Sequence, residues 1–232
     1  MLDGSYTPWL VVVSLLVAML ASFTALDMAN RITTAPSARL STLWLFGGGC
    51  AMGLGIWSMH FIGMLAFRLP IPLGYDVAWT AVSLLAAMAS SIFALWLVSR
   101  PTLPHSRLAL GALLMGSGIA SMHYLGMAAM RMQPGIDYHP GWLAASLLIA
   151  LAASWTALFV AFRLRHSQRR MRHRLMPAVL LGSAIVGMHY TGMAAARFPA
   201  GSICGAAAGD GLQAQWLAAL VLVLTTAILA VV

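Results

Sequence analysis

Apolar residues run along this 232-residue chain in seven stretches, broken by short connections of turn-forming and charged residues. Each stretch holds roughly twenty residues, enough for one helix to cross about 30 Å of hydrocarbon. The pattern predicts helices over 8–28, 41–66, 77–98, 108–130, 141–162, 176–196 and 212–232. The connections carry breakers: Pro36, Pro70, Pro72 with Gly74, Pro101, Pro104, Pro134 with Gly135, and Gly209 with Gly211. The expected fold is all-α and membrane-embedded.

Composition agrees. Hydrophobic residues make up 61% and charged residues only 8%, too few to cover a soluble domain, which carries about 25%. The net charge of +8 does not indicate nucleic acid, because the arginines sit in short loops between spans. Ten of them (Arg31, Arg39, Arg100, Arg107, Arg163, Arg165, Arg169, Arg170, Arg172, Arg174) fall in the first, third and fifth connections. The opposite side holds Arg68, Arg131 and Arg197, together with Asp3, Asp76, Asp137 and Asp210. The arginine-rich side is therefore expected in the cytoplasm, with the N-terminus outside and the C-terminus inside. Trp9, Trp79, Trp142 and Trp216 begin odd-numbered helices and read as an aromatic belt at the outer interface. The run Arg163 to Arg174 reads as topology signal and lipid attraction. The first span follows Asp3 rather than a basic segment and reads as a retained helix, not a signal peptide. No lysine is present, which excludes a retinal Schiff base.

The chain repeats itself. Three helix pairs are followed by a seventh helix. Odd helices carry a tryptophan, then a serine, then Ala-Leu three residues on: Ser22, Ala25, Leu26; Ser91, Ala94, Leu95; Ser154, Ala157, Leu158. Even helices carry a stronger signature: GLGIWSMHFIGMLAFR (53–68), GSGIASMHYLGMAAMR (116–131) and GSAIVGMHYTGMAAAR (182–197). The shared pattern is G-x-[GA]-I-x-[SG]-M-H-[FY]-x-G-M-x-A-x-R, and three copies over sixteen residues exceed chance.

Each histidine precedes its interfacial arginine by eight residues, about 12 Å along a helix, which puts it in the outer leaflet. Ionisable residues at such depth are costly and face the bundle interior with a partner. A methionine four residues later shares the histidine's face, giving the pairs His60 with Met64, His123 with Met127 and His189 with Met193. Met59, Met122 and Met188 are rotated by about 100° and share a side with the following glycine and alanine, where another helix can approach. Three imidazoles with thioethers, and no carboxylate, favour copper, especially Cu(I). Symmetric packing of a triplicated hairpin explains the same residues without metal. Elsewhere, Asp27 and Asn30 read as a polar end of the first helix. His105, His139, His166 and His173 read as solvated loop residues. Cys50 falls mid-span and Cys204 in an outer loop, so a disulfide between them is not expected.

At the three M-H-[FY]-x-G-M blocks the sequence resembles the MHYT family of bacterial integral membrane sensors; the third copy, Met188-His189-Tyr190-Thr191, spells the name. Phe61 replaces the tyrosine in the first copy, and Ile62 and Leu125 stand where the third has Thr191, so neither hydroxyl is needed at every site. The resemblance implies a sensor of the bacterial cytoplasmic (inner) membrane. It implies copper on the motif's histidines and methionines and a response to O2, CO, NO or another diffusible or redox signal. Such domains often precede cytoplasmic GGDEF and EAL domains that turn over cyclic di-GMP. The chain ends within its seventh apolar helix, so residues 1–232 are expected to be one sensor domain, the N-terminal part of a longer signalling protein, not itself an enzyme. Output domains of that kind act as dimers, which suggests a homodimer. Two rival readings are a b-type haem protein, with histidines on facing helices, and a transporter of copper or another small solute.

Overall fold

The computed structural model describes residues 1–165 and 172–231, without the side chains of 172, 173 and 228–231. His166, Arg169 and Arg170, and the side chains of Arg172 and His173, lie outside the described residues. Six long helices form three hairpins: α1 (Pro8–Thr34) with α2 (Ala38–Ala66), α3 (Val77–Val98) with α4 (His105–Ala128), and α5 (Pro140–Leu164) with α6 (Arg172–Ala195). All six are long and apolar enough to cross a membrane, and the chain is a multi-pass membrane protein. Four-residue α7 (Gly205–Ala208) precedes α8 (Ala214–Val231), in which the described apolar stretch, Ala214–Ala227, is shorter than the other six.

Local chemistry sets the helix starts. Pro8 and Pro140 occupy the first turns of α1 and α5, where a missing N–H costs nothing. The Oδ1 of Asp76 accepts from the Trp79 amide at 3.0 Å and caps α3. Ser37 Oγ accepts from Leu40 N at 3.3 Å, so α2 begins at Ala38, ahead of the expected 41. Trp9, Trp79, Trp142 and Trp216 all lie exposed in the first turns of α1, α3, α5 and α8.

The six helices close a ring, each packed against its chain neighbours and α6 against α1. The first glycine of each motif makes the inter-hairpin crossing. A Cβ at Gly53 would lie 2.6 Å from the Met88 Cα of α3. One at Gly116 would lie 3.2 Å from Leu151 Cα of α5, and one at Gly182 would lie 2.7 Å from Met19 Cα of α1. Absent side chains let these backbones touch. Each even helix thus leans on the next odd one, and three repeats make a closed, approximately threefold bundle. Helix α8 packs outside it against α2 and breaks the symmetry.

The all-α expectation needs one correction. Four two-residue antiparallel ladders sit at the end of the bundle where the motifs finish: β1 (Ser5–Tyr6) with β2 (Phe67–Arg68), β3 (Gly74–Tyr75) with β8 (Leu212–Gln213), β4 (Met132–Gln133) with β7 (Ile203–Cys204), and β5 (Asp137–Tyr138) with β6 (Ala196–Arg197). They are too short to leave a periodic signal. A repeated bond accompanies them: the amides of Thr7, Asp76 and His139 donate to the carbonyls of Ala66, Ala129 and Ala195 at 2.7–2.9 Å, clamping each hairpin. Cys204 lies in the connection between α6 and α8, as expected, and is buried there, with Sγ 3.0 Å from the Met130 carbonyl. Cys50 and Cys204 are both free thiols.

At the arginine-rich end α1 continues past Asp27 and Asn30, so they do not terminate it. Asp27 bridges Arg31 and Arg174, each at 2.6 Å, and ties α1 to α6. The buried Arg165 guanidinium donates to the carbonyls of Val98, Arg100 and Pro101 at 2.8–3.0 Å, satisfying the orphan end of α3. The sequence reading of Arg165 as a topology signal did not foresee this cap. His139 is likewise a cap rather than a free loop residue: its Nδ1 accepts from Gly141 N at 3.2 Å.

Candidate metal centre

Helices α2, α4 and α6 bring His60, His123 and His189 to one point on the ring axis. All three are buried at 0%, 0% and 1% exposure. Their Nδ1 atoms form a nearly equilateral triangle with sides of 3.1, 3.2 and 3.3 Å, and the rings meet edge to face at 5.0–5.2 Å between centroids. The three are the one such group of metal-binding side chains among the described residues.

The triangle cannot be satisfied by hydrogen bonds alone. A ring nitrogen either carries a proton and donates or presents a lone pair and accepts. With three corners, at least two must be alike, so at least one side sets two donors or two lone pairs against each other. The Nε2 atoms are buried without a hydrogen-bond partner, which costs roughly 1–3 kcal/mol each. If the protons sit on Nε2, three lone pairs converge. The centre of the triangle lies about 1.9 Å from each nitrogen, near the roughly 2.0–2.1 Å of a metal–imidazole bond. Imidazole nitrogens without carboxylates, in an interior rich in thioethers, suit a soft ion.

The second motif glycine positions each ring. A Cβ at Gly63 would strike Nε2 of His189, one at Gly126 that of His60, and one at Gly192 that of His123. Every even helix therefore holds the histidine of another in a glycine cradle, in cyclic order. The sequence marked this glycine as a site of close helix approach. It did not reveal that the approaching group is the neighbouring imidazole.

The residue after each histidine faces outward to the next odd helix. Tyr190 and Tyr124 lie 3.1 and 2.5 Å from Oγ of Ser14 and Ser146. Those hydroxyls donate to the Val11 and Leu143 carbonyls, so the phenols donate to the serines. In the first motif Phe61 has no hydroxyl, and the Trp57 indole N–H donates to Ser83 Oγ at 3.1 Å instead. Ser14, Ser83 and Ser146 each precede the serine of the odd-helix motif by eight residues, a repeat visible in the sequence but not used in reading it. Above these rings, Tyr6, Tyr75 and Tyr138 pack edge-on against Tyr190, Phe61 and Tyr124 at 5.4–5.5 Å and cap the site on the ladder side. Burial, with Tyr190 nearby, pushes the Tyr6 phenol up to about 12. Burial and then Tyr124 do the same for Tyr138. Both stay protonated at neutral pH.

Met59, Met122, Met188, Met64, Met127 and Met193 are all buried at 3% or less. Met64 also lines a pocket of about 280 Å³ with Arg68, Tyr75 and Ala214, on the side where α8 packs. Of the nine residues singled out in the sequence, the structure gathers the three histidines into one cluster and buries the six methionines within one helical turn of them along the chain.

Comparison with known proteins follows the same threefold division. Residues 53–111, 116–173 and 182–232 each match the bacterial signalling protein N-terminal repeat, MHYT. The chain is 62% identical over 232 residues to the bifunctional diguanylate cyclase/cyclic di-GMP phosphodiesterase MucR of Pseudomonas aeruginosa, covering 100% of this chain and 34% of that protein. It is 43% identical over 218 residues to the cyclic di-GMP phosphodiesterase NbdA of the same organism, covering 92% and 28%. It is 38% identical over 197 residues to the signaling protein YkoW of Bacillus subtilis, covering 84% and 24%. The chain thus spans about a third or less of the length of these curated relatives. No solved structure matches it. Three matched repeats, one per hairpin motif, make this chain a member of the MHYT family of bacterial signalling proteins.

Proposed function

We propose that this chain is the sensory membrane part of a longer protein and binds one copper ion, as Cu(I), through Nδ1 of His60, His123 and His189. The observation that carries this reading is the Nδ1 triangle, with sides of 3.1–3.3 Å that hydrogen bonds cannot all satisfy. A cation at its centre removes the conflict and gives three lone pairs a common acceptor. Met64, Met127 and Met193 are the proposed thioether donors, with Met59, Met122 and Met188 behind them as a soft, polarisable shell. Bound copper would supply a centre able to receive O2, CO, NO or an electron.

The chain's own residues hold this centre rigid and dry. The glycine cradles fix the rings, and the tyrosine layer separates them from water. The signal passes to cyclic di-GMP turnover in domains at the cytoplasmic end. The names of MucR and NbdA support that output. The ten-to-three division of arginines supports an outside N-terminus, a seventh span in α8 and an inside C-terminus in the bacterial inner membrane. The working unit is a homodimer, as paired output domains require; crosslinking in native membranes that yields monomer alone would overturn that part.

Three imidazoles in mutual contact leave no slot for a macrocycle, which favours an ion over haem. A single histidine cluster at one depth, the one such group among the described residues, favours a fixed site over a transport path. The deciding experiment is metal analysis and a visible spectrum of detergent-purified protein. One copper per chain without a Soret band is expected. A Soret band would establish haem, and protein free of both copper and haem after copper supplementation would leave symmetric packing as the role of the motif.

A further inference from the structure

The Ser-x-x-Ala-Leu motif of the odd helices plays no part in the histidine cluster, yet it recurs three times. The structure brings its Ala-Leu pairs together. Ala25, Ala94 and Ala157, with the leucine after each, line one interior cavity of about 30 Å³. The even helices contribute Met52, Met115 and Leu181, each eight residues before its histidine. Because every repeat supplies equivalent residues, the cavity sits on the same threefold axis as the histidines. It lies two helical turns nearer the arginine-rich end, about 12 Å away.

No polar atom lines it. Its volume exceeds the roughly 10–15 Å³ that one water needs, but a water also needs two to four polar partners, so an apolar cavity stays dry; one of roughly 150 Å³ takes up benzene or xenon, and this smaller one has room for a single small molecule. Small alanines in all three copies keep it open. A larger aliphatic side chain at any one of them would fill it.

We infer that this axial cavity is a binding site for one small, uncharged apolar molecule of about the size of a diatomic gas. The site uses none of the histidines, so it stands apart from the proposed copper centre.

Xenon is the probe. Full-length chain carrying [13C]methyl-methionine is placed in lipid nanodiscs, and methyl resonances are followed as xenon pressure rises. Met52 and Met115 line the cavity and should show a saturable shift. Met59 and Met122, also buried but outside it, should show none. Ala94→Leu should abolish the shift by filling the space. If that variant is too overpacked to fold, Leu158→Ala, which enlarges the cavity, should make saturation occur at lower pressure. Stripping copper with a Cu(I) chelator, which empties the proposed metal centre, should leave the response intact. A linear shift shared by all four methionines would mean partition into lipid and would overturn the site, as would a saturable shift that the cavity variants leave unchanged.

Discussion

Nε2 of His60 occupies the space that the Cβ of residue 126 would fill if Gly126 were any other residue. The relationship repeats between His123 and Gly192 and between His189 and Gly63, so each glycine is a mould for an imidazole on another helix. Gly126→Ala should displace the His60 ring and open the Nδ1 triangle. Overpacking of this kind costs about 1–3 kcal/mol. Thermal unfolding should report that loss, and copper stoichiometry should fall with it. Unchanged copper content in Gly126→Ala would show that the cradle does not set the ring.

The ligand set separates by side chain. His60→Ala, His123→Ala or His189→Ala should each abolish stoichiometric copper binding, since imidazole is the stronger and less replaceable donor in the proposed set. Met→Leu preserves volume and apolarity and removes sulfur. Combined Met64→Leu, Met127→Leu and Met193→Leu should keep the fold and weaken Cu(I) binding, measured by competition with a chromogenic chelator. Wild-type affinity in the triple variant would confine ligation to the imidazoles.

The aromatic position after each histidine is asymmetric. Tyr124→Phe loses a phenol bond to Ser146 and should cost about 0.5–1.5 kcal/mol. The reverse change, Phe61→Tyr, adds a hydroxyl to a fully buried position beside which Trp57 already bonds Ser83, and should cost about 1–3 kcal/mol through overpacking. Chemical denaturation of both variants gives the comparison; equal or opposite costs would refute the role given to Trp57.

Arg165 joins α5 to three carbonyls at the end of α3. Arg165→Leu should destabilise the bundle by roughly 1–3 kcal/mol through orphaned carbonyls. Arg165→Lys should recover little of this, because one ammonium cannot reproduce the guanidinium fork. Full rescue by lysine would mean that charge alone matters there.

Topology is open to direct test. A cysteine placed at Gly135, in a chain with Cys50 and Cys204 replaced, should react with an impermeant thiol reagent from outside intact cells. A C-terminal reporter should be active only in the cytoplasm. Labelling only after lysis would reverse the orientation.

The apolar stretches, the threefold hairpin repeat and the recurrence of one histidine per repeat were legible in the sequence, because each depends on spacing along one helix or on identity between copies. The eight residues between histidine and arginine, and the tryptophans at the helix starts, could likewise be read from position along one helix. These are local properties, set by a rise of about 1.5 Å per residue and by transfer from water to lipid.

What passes between helices was decided only by tertiary structure. The spacing placed a glycine and a methionine beside one another. It could not say that the glycine would receive an imidazole from a different hairpin, nor that three Nδ1 atoms would meet. Trp57 replacing a missing phenol, Arg165 reaching the end of α3, and Cys204 entering the gap between Gly74 and Met130 all join residues 26 or more positions apart. The ladders at the rim are two residues long and carry no periodicity. The axial cavity is lined from all six long helices, so no spacing along one of them could announce it.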